Sequence, residues 1–124
     1  MIIASLLVAL YLNDPIAYQQ LKIINYVHQT AQMQGIDPNL FLMLASCESK
    51  LHPEAKGDYR SETGEFMAAG LYQFWPSTFV NYSKKYNIKG HRLDPYSSAD
   101  LAALMIKDGE ASQWKNCATT VGLL

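Results

Sequence analysis

The sequence predicts a single, mostly α-helical domain, and three features indicate this fold class. Hydrophobic residues make up 49% of the 124 positions and charged residues only 17%, a balance typical of a chain that buries a core. Helix-start and helix-stop signals recur, with Asp-Pro pairs ahead of apolar stretches and Gly after them. No alternating stretch is long enough to predict a strand of more than a few residues.

Residues 1–13 form an apolar segment ahead of the predicted domain, which we assign to residues 14–124. As a helix, the apolar run from Met1 to Leu12 would be about 18 Å long, short of a hydrocarbon core of about 30 Å. No Lys or Arg precedes Lys22, so the basic start of a signal peptide is missing. Two interpretations stay open. The segment is either a remnant of an export signal or membrane anchor, which would associate the protein with the membrane or envelope, or it packs on the domain.

The first predicted helix begins at Asp14-Pro15 and ends near Gln34, with Gly35 as its stop. Asp at the N-cap and Pro at the first helical position both favour a helix start. The expected apolar stripe consists of Leu21, Ile24, either Val27 or His28, and Ala31. His28 lies at the edge of this stripe, where we expect a packed side chain and not a metal ligand or catalytic group.

The second predicted helix begins at Asp37-Pro38 and runs to Glu48. Residues 40–47 are apolar apart from Ser46, which predicts a helix that is buried on every side. The sequence therefore places an acidic residue at the end of a buried helix.

Glu48 is the candidate catalytic residue. It follows Leu44 by one helical turn and Phe41 by two, so it continues the apolar stripe. Burial and the negative end of the helix dipole both disfavour the ionised carboxylate, and both raise the pKa. A carboxylic acid that is protonated near neutral pH suits general acid catalysis of glycosidic-bond cleavage. The alternative is an acid that bends out to solvent or pairs with Lys50 or Lys56.

Residues 50–69 are predicted as a polar loop with tight turns at Gly57 and Gly64. The acids of this loop are Glu54, Asp58, Glu62 and Glu65. We expect Glu62 and Glu65 to be solvated, whereas Asp58 stays open as a second acidic group near Glu48.

Residues 70–79 are rich in groups suited to binding a sugar. Tyr72 offers an aromatic face, and Gln73 offers both a hydrogen-bond donor and an acceptor. We expect Phe74 and Trp75 to belong to the core instead of contacting a ligand.

Two further helices are predicted in the second half of the chain. The first spans residues 76–86. The second begins at Ser97, where Ser97 and Asp100 match a Ser-x-x-Asp capping box, and ends near Asp108 before Gly109.

Two motifs in this order resemble the catalytic segment of the lysozyme-like superfamily. The first is C-E-S followed by x-x-x-P-x-A at residues 47–55, and the second is A-G-L-Y-Q-F-W-P-S-T-F at residues 69–79. The pattern is most similar to the transglycosylase group, which includes soluble lytic transglycosylases, goose-type lysozymes and resuscitation-promoting factors. The resemblance covers residues 36–117 and implies a mostly α, lysozyme-like domain with a substrate cleft.

The resemblance also implies roles for individual residues. Glu48, in a Glu-Ser pair, corresponds to the catalytic acid. The Gly-Leu-x-Gln segment corresponds to the other wall of the cleft, and Gly57-Asp58 is similar to a Gly-Asp found at this place in some lysozyme-like domains. The expected substrate-binding residues are therefore Ser49, Asp58, Gly70, Tyr72 and Gln73. The A-E-N-Y element that many soluble lytic transglycosylases carry is absent, which leaves open the residue that would hold the substrate N-acetyl group.

The implied activity is that of a peptidoglycan lytic transglycosylase. Such an enzyme cleaves the β-1,4 bond between N-acetylmuramic acid and N-acetylglucosamine with a single Glu and leaves a 1,6-anhydro end. A hydrolytic lysozyme on the same fold, assisted by Asp58, is the alternative among enzymes. A non-catalytic glycan-binding or structural module of an envelope or phage assembly is the alternative of another class.

The expected partner is the peptidoglycan glycan strand, bound by a monomer. The formal net charge of −1 and the absence of a basic stripe argue against a nucleic-acid partner. No phosphate-binding Gly loop is visible, and we expect no cofactor and no metal.

Cys47 and Cys117 are the only cysteines. By themselves they are compatible with a disulfide, with two thiols or, together with His52 and His91, with a weak zinc pattern. The C-E-S start and the later W-x-x-C at Trp114 are similar to domains in which the two cysteines form one disulfide. This bond would stabilise the fold by on the order of 4 kcal/mol. It implies an exported protein of the periplasm, cell envelope or extracellular space, possible settings including a phage or a secretion system.

Overall fold

The computed structural model describes residues 13–124, and within them the chain forms five α-helices, one short 3₁₀ helix and one β-hairpin. The predicted mostly α fold class is confirmed. The elements in chain order are α1 (Pro15–Gln34), α2 (Pro38–Ser49), β1 (Lys56–Tyr59), β2 (Phe66–Ala69), α3 (Pro76–Tyr86), α4 (Pro95–Lys107), the 3₁₀ helix (Ala111–Trp114) and α5 (Lys115–Val121). The expectations for residues 1–12 lie outside the described residues.

Local capping hydrogen bonds explain where α1 and α2 begin. The Asp14 carboxylate accepts hydrogen bonds from the backbone N–H groups of residues 16 and 17, and the Asp37 carboxylate from those of residues 39 and 40. Each bond satisfies a donor that the first helical turn leaves without a partner. Gly35 ends α1 with φ +73°, a left-handed conformation that Gly adopts without strain. The predicted bounds of α1 are confirmed.

The buried faces of the first two helices differ from the predicted ones. The buried side chains of α1 are Ile23, Val27, Thr30 and Ala31, whereas Leu21, Ile24 and His28 are half-buried. The prediction that α2 is buried on every side is wrong, because Met43 is 49% exposed and Ser46 and Cys47 are also exposed. Helix α2 packs against α1 and α5, and this leaves one of its sides at the surface.

The centre of the core joins α2 to two later parts of the chain. Phe41 and Tyr72 stack with ring centroids 4.8 Å apart, and the Tyr72 hydroxyl donates to the Phe41 carbonyl at 3.1 Å. The Trp114 indole N–H donates to the Tyr72 carbonyl at 2.8 Å, and its ring meets that of Phe74 edge-on at 5.5 Å. These buried aromatic contacts hold residues 70–74 between α2 and the 3₁₀ helix.

A β-hairpin occupies most of the segment that the sequence predicts as a loop. Strands β1 and β2 pair antiparallel, with Lys56 opposite Ala69 and Tyr59 opposite Phe66. Gly64 lies in the connection with φ +73°, as a tight turn requires. Gly57 is in β1 and makes no turn, so its predicted role is wrong.

Arg92 links the hairpin to the segment that follows it. Its guanidinium Nη1 donates to the carbonyls of Met67 at 2.6 Å and Phe74 at 2.8 Å. Gly70 packs so closely against the Arg92 carbonyl that any Cβ at this position would clash with it. The role of Arg92 is not predictable from the sequence, because no local motif surrounds this residue.

The fourth helix begins earlier than predicted, and the predicted capping box is absent. Asp94, not Ser97, is the N-cap, since its carboxylate accepts from the Tyr96 N–H at 3.1 Å and from the Ser97 hydroxyl at 2.8 Å. Asp100 instead accepts a hydrogen bond from the Tyr26 hydroxyl on α1 at 2.8 Å. A tertiary contact therefore takes the side chain that the capping box required.

Cys47 and Cys117 form a disulfide, with Cα atoms 5.8 Å apart and 70 positions apart in sequence. The bond joins the last turn of α2 to α5. Among residues 13–124, no helix is both long and apolar enough to cross a membrane.

Candidate active site

A cavity of about 590 Å³ opens between three parts of the fold: the end of α2, the hairpin with the segment after it, and the C-terminal segment 112–117. We call it the cleft. Its lining residues are Glu48, Gly57, Asp58, Ala68, Gln73, Trp75, Ser112, Gln113, Trp114, Lys115, Asn116 and Cys117. Three of the residues singled out from sequence as site residues, Glu48, Asp58 and Gln73, therefore meet here.

Glu48 is half-buried in the last turn of α2 and faces the cleft. Burial raises the pKa of its carboxyl to about 7, and the negative charge of Asp58 contributes in the same direction. An ion pair with Lys50 or Lys56 would have lowered the pKa instead. Glu48 is therefore a carboxylic acid that holds its proton up to near neutral pH, as its place in the apolar stripe predicts.

Ser49 orients the end of α2 from the core side. Its side chain is buried, and its hydroxyl lies 3.0 Å from the Ala45 carbonyl and 2.8 Å from the Leu71 carbonyl as a hydrogen-bond donor. Ser49 does not line the cleft, so its expected contact with substrate stays a prediction that the cavity does not support. The contact with Leu71 ties α2 to the opposite wall and leaves the preceding residue, Glu48, facing the cleft.

Asp58 lies on β1 and shares the cleft with Glu48. One of its carboxylate oxygens, Oδ2, accepts a hydrogen bond from the Trp75 indole N–H at 3.0 Å. Asp58 also has φ +51°, a left-handed conformation that is uncommon for residues other than Gly, although Asp adopts it more readily than most. Its role is open from the sequence, and the fold brings it to the same cavity as the candidate acid.

Gln73 lines the cleft, but its side-chain amide also holds the wall together. The amide nitrogen donates to the carbonyls of Ala55 at 3.0 Å and Gly70 at 2.9 Å. A Cβ at Gly57 would lie only 2.6 Å from the Gln73 amide oxygen, so Gly57 is required for this close approach. The Gln73 amide N–H groups, which we expected to donate to a sugar, therefore donate to backbone carbonyls instead.

Gly70 and Tyr72 lie behind the cleft wall and not in it. Tyr72 is fully buried against Phe41 and Trp114, and Gly70 is buried against the Arg92 carbonyl. The tight turn of residues 70–73 directs Leu71 and Tyr72 into the core, so the expected substrate contacts of Gly70 and Tyr72 stay predictions that the cavity does not support.

Trp75 faces the cleft, and the prediction that it belongs to the core is wrong. Its side chain is 41% exposed, and it lines both the cleft and a smaller adjoining cavity of about 60 Å³. Thr78 and Gln113 also line the smaller cavity, so the groove continues past Trp75.

The C-terminal wall of the cleft is not among the site residues predicted from sequence. Its polar side chains are those of Ser112, Gln113, Lys115 and Asn116. A signal for this wall was present in the sequence, because a bond from Cys47 to Cys117 places the C-terminal segment beside Glu48. Among residues 13–124, no cluster of three or more His, Cys, Asp or Glu side chains is arranged to hold a metal ion.

The arrangement can bind a polar ligand and transfer a proton to it. A carboxyl group with a pKa near 7 faces an open groove that is lined by an indole, amides and a hydroxyl. The family model described as the transglycosylase SLT domain matches residues 25–120, a span that contains every residue of the cleft. No curated protein and no solved structure matches the chain.

Proposed function

This chain belongs to the transglycosylase SLT family, and we propose that it is a lytic transglycosylase that cleaves peptidoglycan between N-acetylmuramic acid and N-acetylglucosamine. The observation that carries the proposal is the half-buried Glu48, with a pKa of about 7, at an open groove. A group with this pKa can both donate and accept a proton near neutral pH.

The proposed reaction uses Glu48 twice. Its carboxyl group first protonates the oxygen of the β-1,4 bond, the bond from C1 of N-acetylmuramic acid breaks, and the N-acetylglucosamine side leaves. The 6-hydroxyl of the same N-acetylmuramic acid then forms a bond to C1 and gives its proton to the Glu48 carboxylate. The acid is restored, the product has a 1,6-anhydro ring, and no water is consumed.

We propose an electrostatic role for Asp58 in this reaction. The bond from C1 breaks through a transition state that resembles an oxocarbenium ion and carries positive charge. A carboxylate in the same cleft stabilises this charge. The same negative charge raises the pKa of Glu48, which keeps the acid protonated before the reaction.

The remaining cleft residues are proposed to bind the glycan. The exposed face of Trp75 offers a surface for a sugar ring, and the side chains of Gln113 and Asn116 offer donors and acceptors for hydroxyl and N-acetyl groups. The groove continues past Trp75 towards Thr78, which supports binding of more than one sugar unit.

A hydrolytic lysozyme is the second candidate, and the presence of Asp58 in the cleft favours it. A second carboxylate could activate a water molecule for attack at C1, as in inverting glycosidases. The two reactions differ in their products, because hydrolysis leaves a reducing end and transglycosylation leaves an anhydro end.

Export is part of the proposal. A disulfide such as that between Cys47 and Cys117 is typical of proteins outside the reducing cytosol, and the proposed substrate also lies there.

The test is mass spectrometry of the muropeptides that the protein releases from purified peptidoglycan. We expect 1,6-anhydro products from the wild type and from Glu62→Gln, which changes an exposed acid of the hairpin connection, and none from Glu48→Gln. Reducing-end products that depend on Glu48 would favour the lysozyme instead. Glycan binding without any release by the wild type would indicate a binding module.

A further inference from the structure

The hydrogen bond between Trp75 and Asp58 joins the hairpin to the segment that follows it, within one wall of the cleft. Asp58 belongs to β1, and Trp75 is the residue immediately before α3. The indole Nε1 lies 3.0 Å from the Asp58 Oδ2 atom, and the two residues are 17 positions apart in sequence. Both side chains also line the cleft that Glu48 faces.

We propose that Trp75 is a positioning residue that acts through Asp58, its indole N–H holding the Asp58 carboxylate in place in the cleft beside Glu48. The catalytic meaning of this role rests on the proposed function. The positioning itself is a property of the folded protein without substrate.

The backbone on the Trp75 side is held firmly. The preceding residue, Phe74, is buried and exchanges two backbone hydrogen bonds with Ala69, at 3.0 and 3.1 Å. Its carbonyl also accepts a hydrogen bond from Arg92. The following residue, Pro76, has a fixed φ angle and starts α3. The backbone that carries the Trp75 indole is therefore held in place.

The Asp58 carboxylate needs a hydrogen-bond donor to keep it in one position. Asp58 is exposed, and an exposed carboxylate samples several rotamers unless a partner restricts it. Its left-handed φ of +51° sets the direction of the side chain, and the bond to the indole selects the position of the charged group.

The position of the Asp58 carboxylate affects Glu48, because both groups are ionisable and line the same cleft. Three ionisable side chains line the cleft: Glu48 from α2, Asp58 from β1 and Lys115 from the C-terminal wall. Burial is the main cause of the raised pKa of Glu48, and Asp58 is the group whose charge adds to it. Coulomb energy falls with distance, so a more mobile Asp58 carboxylate would act less strongly on Glu48. Lys115 stays the same in all the variants below.

Two substitutions test separately the indole donor of Trp75 and the charge of Asp58. Trp75→Phe keeps an aromatic face for a sugar but removes the donor. Asp58→Asn keeps an acceptor oxygen for the indole but removes the charge. Tyr86→Phe is the matched control, because it removes an aromatic donor from the Asp108 carboxylate on the outer surface, away from the cleft residues.

The experiment is an NMR titration of the Glu48 side-chain carboxyl in the substrate-free protein, for the wild type, each single variant and the double variant. We expect Asp58→Asn to lower the pKa of Glu48 and Trp75→Phe to lower it by a smaller amount, because the Asp58 charge is kept but is held less firmly. The double variant should match Asp58→Asn alone, and Tyr86→Phe should match the wild type. Circular dichroism melts of each protein establish that it is folded.

Additive shifts in the double variant, or an unchanged Glu48 titration in Trp75→Phe, would overturn the proposal. A rise in KM without any shift of the pH profile in Trp75→Phe would also overturn it, since Trp75 would then be only a sugar contact. Because the titration needs no substrate, its result is independent of whether the wild type releases anhydro products, and the two proposals can fail separately.

Discussion

The disulfide between Cys47 and Cys117 joins the residue immediately before Glu48 to the wall of the cleft that Glu48 faces. One covalent bond therefore anchors both the candidate acid and the C-terminal segment that completes the cleft. Without it, the contacts of the C-terminal segment with the core, chiefly those of Trp114, would hold this wall.

Removing the disulfide is expected to lower both stability and turnover. The chain-entropy model assigns a bond that closes a loop of this length about 4 kcal/mol. We expect the free energy of unfolding of the double variant Cys47→Ser/Cys117→Ser to be lower than that of the wild type by a large part of this amount. Urea unfolding followed by circular dichroism measures the difference. Reductant should weaken the wild type and leave the double variant unchanged. Equal stability of oxidised and reduced wild type would contradict the prediction.

The stability of the protein should depend on pH through Glu48. Its pKa rises from the ordinary value of 4.5 to about 7 on folding, so the folded state binds the proton more tightly than the unfolded chain. This contribution is fully present below about pH 4.5 and is lost as the pH rises through about 7. After a discount for solvent screening, we expect this contribution to the free energy of unfolding to be about 1–2 kcal/mol.

Urea unfolding of the wild type and Glu48→Gln at pH 4.5 and pH 8 checks this expectation. The substituted side chain of the variant is uncharged at both pH values, whereas Glu48 of the wild type ionises at the upper pH. The stability of the variant relative to the wild type should therefore be higher at the upper pH. Glu62→Gln should follow the wild type. A constant difference between the wild type and Glu48→Gln across this range would contradict it.

Tyr72→Phe tests the assignment of Tyr72 to the core. The substitution removes the hydroxyl that donates to the Phe41 carbonyl at 3.1 Å. We expect the free energy of unfolding to fall by about 1 kcal/mol, with KM for peptidoglycan unchanged because the side chain does not reach the cleft. A several-fold rise in KM at unchanged stability would return Tyr72 to the substrate-binding residues.

Gly57→Ala tests the close approach of Gln73 to β1. The new Cβ would lie 2.6 Å from the Gln73 amide oxygen and would displace the amide from its bonds to the Ala55 and Gly70 carbonyls. We expect turnover to fall severalfold, because the Gln73 amide must shift within the cleft, and stability to fall by about 1 kcal/mol.

Gly109→Ala is the control for Gly57→Ala. Gly109 has φ +88°, and a Cβ at this position would have no neighbouring atom within 4 Å. Ala there therefore adds backbone strain of about 1 kcal/mol without disturbing the cleft, and its turnover should equal that of the wild type. If Gly57→Ala and Gly109→Ala had the same effect on turnover, the close approach of Gln73 would not matter.

Signals that act over a few residues predicted much of the fold. The Asp-Pro pairs at residues 14–15 and 37–38 start helices because each Asp carboxylate reaches backbone N–H groups two and three positions ahead. The predicted bounds of α3, residues 76–86, are confirmed. The place of Glu48 in the apolar stripe of α2 follows from helical periodicity alone. These features need no knowledge of distant parts of the chain.

A competing local signal and a contact between distant residues together explain why the predicted capping box is absent. Ser97 and Asp100 match a capping box, but Asp94 caps α4 and Asp100 bonds to Tyr26 on α1. The Asp-Pro pair at residues 94–95 is the local signal that also starts α1 and α2, and it places the cap at Asp94, while the packing of α1 beside α4 engages Asp100.

The candidate site, like the fold, has features that the sequence predicts and features that depend on tertiary contacts. By itself, the sequence determined the fold class, the candidate acid and the family motifs around Glu48, because helix caps, periodicity and short motifs are local. Only the tertiary structure decided that Tyr72 is core, that Trp75 faces the cleft beside Asp58, and that residues 112–117 form the third wall. The physical reason is that the burial of each aromatic side chain depends on partners such as Phe41 and Trp114, which lie 31 and 42 positions away from Tyr72.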